Sequence, residues 1–196
     1  MLIPEIIVLL SAYLIGSISS AVIVCNIMGL DDPRGVGSHN PGATNVFRIG
    51  GKKAAVLTFL GDIVKGIIPV AIGKYLDISV IWLSGIAISA FLGHCLPLFF
   101  SFAGGKGVAT AFGAVSTINW HIGIIILFIW LLAFILFRIS SVASISAAIS
   151  LPIASWYFSP SIVIPMFVLA TLMIWRHHEN IQNLISGDET NFKKTD

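Results

Sequence analysis

Three short polar clusters carry most of the groups able to do chemistry in this 196-residue chain. The first runs Ser38-His39-Asn40-Pro41-Gly42-Ala43-Thr44-Asn45-Val46-Phe47-Arg48, preceded by Gly37. Gly and Asn tolerate positive φ, so successive amide N–H groups can turn into one concavity. Ser38, Thr44 and the asparagines add neutral donors, and Arg48 adds a forked cation suited to phosphate or carboxylate. Such a loop can hold an anion; the plainer alternative is a solvated turn. The second cluster, Gly104-Gly105-Lys106-Gly107, stands directly before an apolar run that opens Val108-Ala109-Thr110. A helix N-terminus there would supply unpaired N–H groups and a positive dipole end, and Lys106 a full charge. It is not a nucleotide-hydrolysing phosphate loop. Glycine follows the lysine where Ser or Thr is needed, and the leading glycine position is Phe100. The third cluster is Arg176-His177-His178-Glu179-Asn180. Adjacent histidines on a helix diverge by about 100° and make poor co-ligands for a metal, whereas His177 and Asn180, three apart, share a face.

Other polar residues are fewer and more isolated. Asp62 and Lys65 lie three apart inside an apolar run. A charge buried at mid-helix costs about 2.5–3.5 kcal/mol on insertion scales, so the two are expected to pair, either as a structural unit or as support for a nearby site. His94 stands shortly before Pro97, and Ser140 and Ser141 follow Arg138 at a helix start, where hydroxyls cap the helix or bind an anion. His121 is expected to be interfacial. Cys25 and Cys95 sit in apolar runs without a partner at ligand spacing, and no metal or cofactor is implied.

The elements that must position these residues are set by composition. The chain is 57% hydrophobic and only 10% charged, with eleven Lys/Arg against nine Asp/Glu and a formal net charge of +2. Its mean hydropathy is +0.97. A soluble domain carries about 25% charged residues. These values exclude a soluble globular enzyme, a disordered chain and a nucleic-acid-binding module, whose footprint needs far more basic charge. An all-α integral membrane protein remains, a single polytopic domain over 1–196. The start of the chain has neither a basic stretch nor a cleavage site, and reads as a retained transmembrane helix.

A span needs about 20 apolar residues. Candidates are 4–28, 54–75, 78–100, 122–137, 142–158 and 161–174, and the uncharged stretch from 107 to 137 is either one long helix or two broken at Asn119-Trp120-His121. The positive-inside rule favours the break. With it there are seven transmembrane helices, the N-terminus outside and the C-terminus cytoplasmic. Arg34, Arg48, Lys52, Lys53, Lys106, Arg138, Arg176, Lys193 and Lys194 then share the cytoplasmic side, only Lys74 falls outside, and Lys65 lies within a helix. The helix after Gly107 is short, about 18 Å. The long polar connection from 29 to 53 and the tail from 176 to 196 are both cytoplasmic in this topology.

In this order, the three clusters closely resemble the motifs of the bacterial acyl-phosphate:glycerol-3-phosphate acyltransferases. Ser38 to Arg48 is similar to the first motif, Gly93-His94 through Thr110 to the second, and Arg176 to Ile181 to the third, so that the resemblance extends over essentially the whole chain. It implies transfer of a fatty acyl group from acyl phosphate to the 1-hydroxyl of sn-glycerol 3-phosphate, giving 1-acylglycerol 3-phosphate (lysophosphatidic acid) and phosphate. This is the first acylation of phospholipid biosynthesis, in the bacterial cytoplasmic (inner) membrane with the site on the cytoplasmic face. It implies activity roles for Ser38, Arg48, His177 and Asn180, glycerol phosphate binding by Gly104, Gly105, Lys106 and Gly107, and a structural role for Glu179. His39, Asn40, Gly42, Thr44, Asn45 and either Ser140 or Ser141 are expected to bind phosphate, with Asp62, Lys65 and His94 in support.

Two phosphate-bearing substrates suit two cationic, amide-rich cradles on one face of a bilayer. Phosphate is already a good leaving group, and none of the five histidines has Asp at the spacing that soluble-facing glycerolipid acyltransferases use for a general base. The expected route is direct attack by the glycerol phosphate hydroxyl, its proton passing to His177 or to a substrate phosphate oxygen, while Arg48 and Lys106 neutralise the leaving phosphate. Ser38 is expected as a phosphate ligand, with an acylated nucleophile as the alternative. The rival function is a membrane carrier or channel for an organic phosphate. It would need polar residues lining a path to the outer side.

Overall fold

The computed structural model describes residues 3–189, and these form helices and turns without a strand. The apolar run expected as one helix over 4–28 is two, α1 (Ile3–Gly16) and α2 (Ser20–Ile27). At the interruption the Ser17 amide and hydroxyl both donate to the Tyr13 carbonyl, at 2.9 and 2.8 Å. The two pieces together remain long and apolar enough to cross a bilayer.

The largest departure from the sequence reading lies in the long polar connection. The residues from Ala43 onward are not loop but the first turns of α3 (Ala43–Tyr75), a helix of 33 residues. It is broken once, at Gly51 (φ 72°, ψ −167°), so that a short helix over 43–50 meets the membrane span at a kink. Glycines at 50 and 51 and low-propensity Thr44 and Asn45 conceal that short helix in the sequence. It nonetheless orients Thr44 and Arg48.

α4 (Val80–Cys95) ends before Pro97, and a 3-10 turn at Leu98–Phe100 leads into the glycine loop. The break at residue 119 is present: α5 (Val108–Ile118) and α6 (Trp120–Phe137) share Asn119 as C-cap and N-cap. The Asn119 side chain accepts the His121 amide at 3.0 Å, an ordinary N-cap bond. α7 (Ser140–Phe158), α8 (Val163–Arg176) and α9 (His178–Ser186) complete the described helices. Five stretches are long and apolar enough to span a membrane, and a sixth is counted if Pro160–Arg176 and His178–Ser186, bent by 54°, act as one. The remaining expected span, α5, is apolar but only 11 residues long. Lys193 and Lys194 lie outside the described residues.

Glycines set the closest helix crossings. A Cβ on Gly66 of α3 would stand 2.2 Å from the Thr110 carbonyl oxygen of α5, and one on Gly113 of α5 would stand 2.3 Å from that of Ile63. α1 and α4 meet the same way, through Gly16 against Ala90 and Gly93 against Tyr13. In lipid, where apolar side chains gain little by leaving the solvent, such backbone proximity supplies the packing energy. Phe91, Ile122, Leu151, Met166 and Leu169 fill the centre, whereas Phe128 (59% exposed) and Ile135 (63%) give α6 a bare apolar face suited to lipid. Lys74 donates to the Thr117 carbonyl at 2.9 Å, closing the end of α5 opposite the glycine loop.

Candidate active site

One cavity of about 750 Å³ opens where the three polar clusters meet. Its inner end is apolar, lined by Phe112, Val115, Ile126, Trp130, Leu151 and Met173. Its other end is polar, and three helix N-termini reach it. Gly42, Ala43 and Thr44 bring the start of α3; Gly107, Val108 and Ala109 that of α5; Ser140 and Ser141 that of α7. None of these three helices has a side-chain N-cap bond. Positive dipole ends and cap-free amides therefore converge on one volume, together with Arg48 and Lys106. A smaller cavity of about 200 Å³ adjoins it, lined by His39, Gly104, Arg176 and His178 and sharing Ser38, Asn40, Lys106 and Glu179 with the first. The site can thus receive an anion with a long apolar tail beside a second, small anion.

The first cluster divides by role. Ser38 and Asn40 face both cavities, while Gly42, Thr44 and Arg48 face the larger. His39 (φ 55°) lines only the smaller, with its Nδ1 3.3 Å from the Arg34 carbonyl. Asn45 departs from expectation. Its side chain is fully buried; Oδ1 accepts the Ser38 amide at 2.9 Å, and Nδ2 donates to the carbonyls of Pro33 (2.9 Å) and Val36 (3.0 Å). With its groups committed to the loop, Asn45 clamps Ser38 in place and lines neither cavity. Gly37 (φ 66°) must be glycine for this, since a Cβ would stand 2.2 Å from Asn45 Oδ1.

The glycine loop is also more structural than expected. The Gly105 amide donates to the His94 carbonyl at 3.2 Å and is not available to a ligand. A Cβ at Gly105 would meet His94 Nε2 at 2.2 Å, and one at Gly104 would meet the His94 carbonyl oxygen at the same distance. Arg176 holds the loop from the far side, its guanidinium donating to the carbonyls of Gly104 (3.1 Å) and Gly105 (3.0 Å). The glycines thus allow close packing, Gly107 (φ 74°) turns the chain into α5, and Lys106 alone among the loop's side chains projects a charge into the cavities. Lys106 Nζ donates to Asn180 Oδ1. Burial lowers its pKa, opposed by Glu189 and then Glu179 nearby.

His177 is not on a helix with Asn180 but at the joint between α8 and α9 (φ −99°, ψ 13°). Both residues still line the cavity. His177 Nδ1–H donates to the Met173 carbonyl at 2.7 Å, which leaves Nε2 as the acceptor nitrogen. Burial pushes its pKa down to about 4, so the ring is neutral at physiological pH. Deeper in, Asp62 and Lys65 pair as expected, Oδ1 to Nζ at 2.9 Å, with His94 Nδ1 3.5 Å from the same oxygen. Lys65 also donates to the Ile18 carbonyl at 2.8 Å, in the break between α1 and α2. The trio ties α1–α2, α3 and α4 to the glycine loop through His94.

Two contributors were not identified from sequence. Arg176 sits in the third motif, and its neighbours gave it no separate role. Glu189 lies just after α9, where its Oε1 accepts the Ser141 hydroxyl at 2.5 Å and the Asn180 Nδ2 at 2.7 Å. A lone acid in a polar tail carries no motif. Only the fold returns it to the cavity.

Comparison with known proteins agrees with this geometry. The family model described as glycerol-3-phosphate acyltransferase matches residues 6–187. The glycerol-3-phosphate acyltransferase of Actinobacillus succinogenes is 50% identical over 179 residues, 91% of this chain and 90% of that one. That of Vibrio vulnificus is 52% identical over 178 residues, 91% and 88% of the two chains. Among solved structures, the glycerol 3-phosphate form of PlsY, an integral membrane glycerol 3-phosphate acyltransferase, superposes with a TM-score of 0.91 at 38% identity, over 97% of this chain and 96% of that one. Its lysophosphatidic acid form gives 0.89 at 36% identity, over 96% and 95%. With its apolar helices and clustered polar motifs, this integral membrane protein belongs to the glycerol-3-phosphate acyltransferase family.

Proposed function

We propose that the protein transfers a fatty acyl group from acyl phosphate to the 1-hydroxyl of sn-glycerol 3-phosphate, releasing 1-acylglycerol 3-phosphate and inorganic phosphate as the first acylation of phospholipid synthesis. The observation that carries this reading is the pairing of cavities. A large one is apolar at one end and anion-attracting at the other, and it shares Ser38, Asn40 and Lys106 with a small polar one. The acyl chain lies among α5, α6 and α7 with its phosphate at the helix N-termini. The compact glycerol phosphate occupies the smaller cavity beside it.

In this reading the hydroxyl oxygen attacks the acyl carbonyl carbon, a new ester C–O bond forms, and the bond to the phosphate oxygen breaks. The hydroxyl proton passes to neutral His177 Nε2 or to a substrate phosphate oxygen. Lys106 and Arg48 offset the charge that grows on the leaving phosphate, a contribution of about 3–4 kcal/mol for one well-placed group. Ser38 acts as a phosphate ligand, with Asn45 fixing its backbone. Thr44, Gly107 and Ser140–Ser141 supply amides and hydroxyls, the Gly42 amide being committed to the Asn40 carbonyl at 2.9 Å, while Glu179 lines both cavities.

The arrangement is taken to sit in a bacterial inner membrane with seven membrane segments, α5 being the short one, the N-terminus outside and the site cytoplasmic. The carrier alternative is less favoured, because Arg48, Lys106 and the helix N-termini gather at one end of the cavity, while Phe112, Val115, Ile126, Leu151 and Met173 line much of the rest. Vesicles that contain the protein, given acyl phosphate and radiolabelled glycerol 3-phosphate, separate the two. We expect the label to become lipid-soluble only when both substrates are present. Label accumulating inside the vesicles as unmodified glycerol 3-phosphate would overturn the assignment.

A further inference from the structure

The tail residue Glu189 occupies part of the anion-binding end of the large cavity. A single carboxylate oxygen, Oε1, accepts from both Ser141 Oγ (2.5 Å) and Asn180 Nδ2 (2.7 Å), and Asn180 in turn accepts from Lys106 Nζ. One hydroxyl and one amide donor therefore already hold an anion, with the Lys106 ammonium group beyond Asn180 and near enough to feel its charge, and that anion belongs to the chain. The contact is built into the local backbone. α9 ends at Gly187 (φ 82°), and the amides of Asp188 and Glu189 both donate to the Asn183 carbonyl, at 2.8 and 3.1 Å. The left-handed glycine reverses the chain so that residue 189 points back across the cavity mouth. Glu189 also lies two residues past the end of the family match at 187.

We infer that Glu189 is an internal competitor for the Ser141–Asn180–Lys106 subsite, one that must be displaced before a phosphate monoester can enter. This rests on the reading that the cavity binds phosphate-bearing substrates. A phosphate competes well because it carries more charge than a carboxylate and offers three acceptor oxygens, so that it engages Lys106 as well as Ser141 and Asn180. While Glu189 is seated, only a fraction of the protein is competent to bind, and the apparent affinity falls by that fraction. The residue thus tunes substrate affinity and takes no part in bond making. Rotation about Gly187 is sufficient to release it.

The test compares the full chain with Glu189→Gln and Glu189→Ala, purified in detergent, varying acyl phosphate and glycerol 3-phosphate separately and adding inorganic phosphate as inhibitor. Glu189→Gln keeps the side chain's size while removing its charge, so agreement between the variants excludes a packing effect. We expect the KM of whichever substrate uses the subsite, and the Ki of inorganic phosphate, to fall about 5- to 20-fold in both variants, by more than kcat changes. The substrate whose KM moves identifies which phosphate sits there. KM and Ki values within twofold of the unaltered protein, with turnover intact, would overturn the inference and leave the proposed function standing. Absence of turnover in the unaltered protein would overturn both.

Discussion

At the scale of single residues, the site combines charge with burial. Lys106 holds its ammonium group among donors and acceptors in a partly desolvated cavity, where an electrostatic contact is stronger than in water. His177 is the sharper case. Its Nδ1–H is fixed on the Met173 carbonyl, and burial holds its pKa near 4. Since the folded-state value lies below the ordinary histidine pKa of about 6.5, folding favours the neutral ring. His177 therefore contributes a loss of stability as pH falls from about 6.5 toward 4, and its Nε2 remains a proton acceptor throughout that window. Nitrogen-15 NMR of histidine-labelled protein, with His177→Gln to assign the signal, checks both points. We expect a midpoint near 4 and an Nδ1-protonated ring at neutral pH. A midpoint near 6.5 would show the ring to be solvated and remove it as the neutral acceptor.

At the scale of elements, the sequence revealed more than its periodicity alone would allow, and missed what tertiary contacts decide. The break at Asn119 follows from the side each basic residue prefers, and the structure contains it, with Asn119 as the cap. The short helix at the start of α3 escaped because Gly50, Gly51, Thr44 and Asn45 are weak helix formers that the surrounding chain holds in place. Asn45 and Gly105 looked like anion ligands for the same reason: small and polar residues serve close packing as readily as binding. Only their partners, Ser38, Pro33 and Val36 for one and His94 for the other, distinguish the two uses.

The α3–α5 crossing gives this scale its prediction. Gly113→Ala forces a methyl group to about 2.3 Å from the Ile63 carbonyl oxygen, so the helices must separate. Such overpacking costs about 1–3 kcal/mol, and we expect Tm in detergent to fall by about 3–10 °C. Gly85→Ala is the control: its methyl group would meet Leu9 at an ordinary 3.6 Å, and Tm should hold within about 1 °C. Equal shifts in the two variants would mean that the crossing is not close-packed.

At the scale of the whole molecule, scarcity of charge is what made the site legible. With only twenty Lys, Arg, Asp and Glu residues in the chain, those not explained by solubility stand out, and Arg48, Lys106 and Arg176 come together at one end of the bundle. The convergence of three helix N-termini could not be read in advance, because it depends on how α3, α5 and α7 pack. The same holds for Glu189, which the turn at Gly187 carries back over the cavity. The most direct test of the proposed chemistry is phosphate release by the purified protein, with acyl phosphate, an acyl thioester or no donor, each with and without glycerol 3-phosphate. We expect one phosphate released for each 1-acylglycerol 3-phosphate formed, only with acyl phosphate and glycerol 3-phosphate together, and a kcat/KM lowered about 10²- to 10³-fold in Lys106→Ala. Acylation from the thioester alone, or phosphate release indifferent to glycerol 3-phosphate, would contradict it.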